Sequence, residues 1–145
     1  MGIDFAELYR RDILKLKEEI GQFKTEAYLW RKVDGINNPA GNLALHIIGG
    51  LNYLVGTLIG HTGYVRDREK EFSARDVSQE QLITGLDELA VIVHRVLSGL
   101  SADEFGADYP LDFLGKNSVH FYMLNFYGHL NYHLGQVNYL RRILG

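Results

Sequence analysis

Residues 39–60 read PAGNLALHIIGGLNYLVGTLIG, and the fold turns on this stretch. Asn38 just before it is a good helix N-cap, and Pro39 suits a first helical turn, so a helix is expected from here to about Gly60. The stretch is apolar almost all the way round. Such a helix has no face to give to water and must be buried on several sides. Gly49 and Gly50 lower helix propensity in its middle, which predicts a close approach of some neighbour there.

The partners of this helix are legible on both sides of it. Upstream, Phe5, Leu8, Ile13, Leu16, Ile20, Phe23, Ala27 and Trp30 recur at helical spacing and predict a helix from about Asp4 to Trp30, weakened at Gly21. Downstream, Ser78-x-x-Gln81 is a capping box that opens a helix with the stripe Leu82, Leu86, Leu89, Val93, Val96 and Leu97. It stops near Gly99. Ser101-x-x-Glu104 caps one short turn, and residues 109–114 read as an irregular connection. A last helix is expected from about Asn117 to Leu144. Between the second and third helices, residues 61–77 (HTGYVRDREKEFSARDV) are charged and lack helical periodicity. Extended, they reach on the order of 50 Å, more than a helix of about twenty residues spans. They are read as a long crossover that leaves helices 2 and 3 parallel. The expectation is an all-α chain: one domain over residues 1–145, a four-helix bundle with a long crossover between helices 2 and 3.

Composition narrows the function. Apolar residues make up 46% of the 145 and charged residues 23%, the balance of an ordinary globular chain, with a net charge of -3. No dense Lys/Arg cluster offers a phosphate footprint, so no nucleic-acid partner is expected. No run of about 18 apolar residues predicts a membrane span. The charged N-terminus does not read as a signal peptide, and the cytoplasm is the expected compartment. Cysteine is absent, which removes thiolate metal sites and a Cys nucleophile. Any metal must take His, carboxylate or water ligands.

His129 and His133 stand four residues apart, one turn apart on one helix face, where two imidazoles can share an ion. The pair alone is weak; its context is His46 in the apolar second helix. A single inward His is usually a hydrogen-bonded core residue. Three bring polar nitrogens that all need partners, and one divalent cation satisfies them together. Three imidazoles leave a coordination position open. His120, nine residues before His129, falls on the opposite side of the helix. His61 and His94 read as surface or structural residues. Gln136 continues the His129–His133 face and is placed to orient a ligand. Tyr122 and Asn125 are further pocket candidates, with Asn42, Asn52 and Tyr53 behind them. Arg66 or Arg68 in the crossover can meet an anionic substrate, although such charged runs are more often solvated surface. No carboxylate base is evident near the triad.

Three motifs together resemble the DinB-like (YfiT-like) superfamily of four-helix proteins: Asn42-Leu-Ala-Leu-His46-Ile, the crossover stretch from Thr62 to Phe72, and His129-Leu-Asn-Tyr-His133-Leu-Gly-Gln136 running on to Arg142. The resemblance spans nearly the whole chain. It implies a four-helix bundle with a long crossover and a metal triad at His46, His129 and His133. It also implies a homodimer. Some members are bacillithiol or mycothiol S-transferases. The expected function is therefore a divalent-metal protein, with nickel or zinc favoured and iron next, that transfers a low-molecular-weight thiol to small electrophilic molecules. The alternative is a non-catalytic, dimeric metal-binding stress-response protein.

Overall fold

The apolar stretch forms a helix, with Pro39 rather than Asn38 at its N-cap, and buries ten of the twelve residues of its α-helical part, Ala40–Leu51. The computed structural model describes residues 1–145, and its regular elements are all helical. In chain order they are α1 (Gly2–Gly21), α2 (Glu26–Leu29), α3 (Ala40–Leu51), α4 (Arg68–Ser73), α5 (Gln79–Ser98), α6 (Ala102–Gly106) and α7 (Val119–Leu144). No helix is long and apolar enough to cross a membrane.

Three boundaries differ from the sequence expectation, each for a local reason. The first helix does not run to Trp30. It ends at Gly21, and the chain turns so that Phe23 and Leu29 enter the core while Thr25, extended, starts α2. The second helix does not stay α-helical to Gly60. After Leu51 it widens into a π-helical segment, Asn52–Thr57. Asn52 Nδ2 donates to the Ile48 carbonyl at 2.8 Å, an acceptor it shares with its own backbone N–H. The carbonyl of Leu54 is taken by the Tyr109 hydroxyl at 2.6 Å. Finally, the crossover is not wholly irregular. Asp67 accepts from Lys70 N and nucleates α4 inside it, a helix of six residues that is too short and too charged to show a period.

Other expectations are met. Both capping boxes, Ser78/Gln81 and Ser101/Glu104, are formed. Gly85 faces Ile48, Gly56 faces Ile92 and Gly60 faces Val96, so the second and third long helices run parallel, as a long crossover allows. α1 runs antiparallel to α5, with Gly21 beside Ile83 and Gly2 beside Leu97. It runs parallel to α7: Phe5 meets His120, Tyr9 meets Met123, and Glu19 meets Asn138 and Arg141. The core fills the space between α1, α3, α5 and α7.

The α1–α7 seam carries a buried charge. Asp12 is fully buried and accepts from Arg11 at 2.8 Å, from Asn131 at 3.0 Å and from the Tyr127 hydroxyl. Burial by itself would raise its carboxyl, but these donors outweigh it and hold the group below the ordinary Asp range. Asp12→Ala removes the acceptor that Arg11, Tyr127 and Asn131 share. It is predicted to cost about 2–4 kcal/mol, a fall in Tm on the order of 10 °C by calorimetry. Asp12→Asn, which keeps one acceptor, is predicted to cost less.

Candidate metal centre

The buried positions of α7 recur at three- and four-residue steps: Val119, Tyr122, Met123, Phe126, Leu130, Val137 and Leu140. The step between Leu130 and Val137 is shared by His133 and Leu134, both half-buried. His129 lies one turn earlier, toward the edge, and keeps a solvent-exposed side. His46 is buried on the facing surface of α3. The three rings converge, each pair at 79–87° to one another, with centroids 4.4–5.2 Å apart. One nitrogen from each ring falls within 4.8 Å of the others, and the Nε2 atoms of His46 and His129 are 2.9 Å apart.

The far nitrogens explain the orientation. His46 Nδ1 is 3.0 Å from Glu71 Oε1. A carboxylate oxygen only accepts, so Nδ1 carries the proton and Nε2 turns its lone pair to the centre. Arg66 also comes within 3.4 Å of that Nδ1, but a guanidinium cannot donate to a ring N–H. His133 Nδ1 is 2.7 Å from Gln136 Oε1, an acceptor that fixes the same tautomer. Such partners are what orient metal-binding imidazoles. The 2.9 Å between His46 Nε2 and His129 Nε2 is bridged either by the proton of a His129 Nε2–H tautomer, donated to the His46 lone pair, or by a cation that both lone pairs face.

Burial lowers the proton affinity of all three rings. It pushes His46 below its usual value against the opposing pull of Glu71, and lowers His133 against that of Gln136. His129 is pushed down to about 4 by burial first and by the neighbouring rings second. All three are therefore neutral near pH 7, the state that binds metal.

Glu71 is the residue that sequence reasoning missed, and it corrects the expectation that no carboxylate lies near the triad. It sits in α4, is 5% exposed, and is gripped by Arg66, with Nε on Oε2 at 2.8 Å and Nη2 on Oε1 at 2.9 Å. Its room is made by Gly49, where a Cβ would lie 2.1 Å from Glu71 Oε2. The close neighbour predicted at the glycine pair is thus this carboxylate, with Arg66 over Gly50. Asn42, one turn before His46, clamps the backbone of α4 by donating to the carbonyls of Glu71 at 3.0 Å and Ala74 at 2.8 Å. Arg75 donates in turn to Asn42 Oδ1. The available signal was the spacing Asn42-x-x-x-His46, which puts both polar groups on one face of an apolar helix.

The other candidates divide. Gln136 and Arg66 touch the site as described. Asn125 and Phe126 line a cavity of about 220 Å³ beside His46 and His129. Tyr122 does not join them: it is fully buried, its ring stacks on Tyr109, and its hydroxyl donates to the Gly115 carbonyl. Seven residues before His129 is simply too far along the helix axis. His120 packs edge-on against Phe5, His94 bonds Glu7, and His61 is exposed. A larger cavity of about 650 Å³ opens on the other side, where His133 and Gln136 meet Ile36, Leu43, Tyr132 and Tyr139. Compared with protein-family models and with curated proteins, the chain finds no match.

Two outcomes are expected. Glu71→Gln or Gly49→Ala, which disturbs the acceptor of His46, weakens metal binding about 10–100-fold in chelator competition. The metal-free protein loses stability as the pH falls from about 6.5 toward about 4. In that window the unfolded chain takes up imidazole protons that the folded chain refuses. His129→Gln is predicted to shrink that loss, read as the urea midpoint at pH 7 against pH 5.

Proposed function

We propose that the chain is a DinB-like four-helix bundle that holds one divalent transition metal, nickel or zinc before iron, through His46, His129 and His133. We further propose that it transfers a low-molecular-weight thiol onto small electrophiles. The observation that carries the metal reading is the donor set. Three neutral imidazoles converge, and two of them have the outer nitrogen committed to an acceptor, Glu71 or Gln136. Imidazoles of this kind suit late first-row divalent ions.

A cation at this point supplies Lewis acidity that favours the thiolate form of a coordinating thiol at neutral pH. The residues do the rest. Glu71 and Gln136 hold the ring tautomers, and Arg66 neutralises Glu71 so that it does not draw the proton from His46. Leu51, Leu54 and Phe126 give the smaller cavity an apolar wall. In the transfer, the thiol proton passes to solvent. The sulfur lone pair forms the C–S bond, and the leaving group departs with its bonding pair.

Three features support thiol transfer over hydrolysis. The chain has no cysteine of its own. Neither cavity beside the triad is lined by a carboxylate. Glu71, the one carboxylate at hand, is occupied by His46 and Arg66 and is not free to activate a water. The sequence resemblance adds the thiol class and a homodimeric state to the proposal.

Elemental analysis tests the foundation. The wild type is expected to carry about one equivalent of a transition metal, lost when His129→Ala and His133→Ala are combined. Failure to take up added nickel or zinc would sink the metal reading and the transfer with it.

A further inference from the structure

The smaller cavity has a charge character that the metal reading does not use. Its lining includes His46, His129, Arg66, Arg68, Asn125 and Phe126, and no carboxylate. The arginines around it differ in their engagement. Arg66 spends its fork on both oxygens of Glu71. Arg75 is bonded to Asn42 and to the carbonyls of Phe72 and Ala74. Arg68 has no ion-pair partner and no side-chain hydrogen bond, yet it is not adrift. Its guanidinium carbon lies 5.2 Å from the centroid of the Phe72 ring, and that ring lies 4.8 Å from the ring of His46. A stack Arg68–Phe72–His46 therefore ties a free cation to the wall of the site.

We infer that this cavity selects ligands bearing a carboxylate or similar anion, with Arg68 as the group that receives it. This rests on the metal reading. The metal-seeking end of the ligand sits at the three imidazoles, and its anionic end reaches Arg68. A guanidinium presents its donors in a planar fork matched to a carboxylate. Leu51, Leu54 and Phe126 give the ligand an apolar wall between the two ends. Asn125 adds a polar group on the α7 side.

The test uses cobalt-loaded protein titrated with ω-mercaptocarboxylates and with mercaptoalcohols of the same chain length, followed by the sulfur-to-metal charge-transfer absorption. The best-fitting acid is expected to bind about tenfold more tightly than its alcohol, less so at high salt. Arg68→Gln should erase that preference and leave alcohol binding unchanged, and Arg68→Lys should retain part of it. Equal binding of acids and alcohols by the wild type overturns the inference, as does a preference that survives Arg68→Gln. If cobalt is bound but no thiol gives a band, the thiol reading fails separately. Calorimetry with succinate against succinamide then decides the anion site: a preference lost in Arg68→Gln upholds it, and no preference overturns it. If no metal binds at all, the metal reading fails, and the same calorimetry on the metal-free protein judges Arg68 on the same criterion.

Discussion

The ion-paired carboxylate of Glu71, buried beneath α3, is the contact on which the site depends. Placing a charge there costs several kcal/mol unless it is paired and hydrogen-bonded. Arg66 supplies the pairing, His46 supplies a further donor, and Gly49 supplies the space. None of the four can change its character alone. A side chain at Gly49 would evict the carboxylate. Without the carboxylate, Arg66 would lose its partner and His46 its tautomer. The crossover is thus fastened to the bundle by the same group that aims a histidine into it. Asn42 does the corresponding work on the backbone of α4.

The opposite face of α7 carries a second buried carboxylate with a different task. Asp12 binds Tyr127 and Asn131, which flank His129 in sequence but point toward α1. Together with the Glu19 contacts to Asn138 and Arg141, it fixes how far α7 slides along α1. That register matters to the site. One helical turn is about 5.4 Å, whereas a metal–imidazole bond is about 2 Å. A slip of a single turn would take His129 and His133 out of reach of His46. Apolar packing alone tolerates such slips better than hydrogen-bonded pairs do.

Parallel α3 and α5 demand a long connection, and the chain uses the length. Its middle part packs on α3 beside His46. There it places Arg66 and Arg68 at one cavity and stacks Phe72 against His46. The π-helical turn after Leu51 lies beside the same cavity, with Leu54 in its wall. Wide turns of this kind interrupt a helix where side chains must be re-aimed. The site therefore draws on α3, its π-helical extension, the crossover and α7, while α1 and α5 act as the frame.

The four long helices and the three histidines were legible along the chain. Apolar residues at steps of three and four mark amphipathic faces, and capping boxes at Ser78 and Ser101 satisfy local backbone donors; both are properties of neighbours along the chain. His129 and His133 share a face by helical geometry, and an apolar helix all round forces His46 inward. The glycine pair announced a close approach without saying of what. It took the folded packing to show that the intruder is Glu71, that Tyr122 turns away to the 109–115 connection, and that Arg68 is left unpaired beside the cavity. The Glu71 contacts join residues more than 20 apart, through a crossover whose six-residue helix is too short to leave a periodic trace. Local pattern fixes what a segment becomes, but which charges meet in three dimensions is settled by packing, where each burial is allowed only if its partner arrives as well.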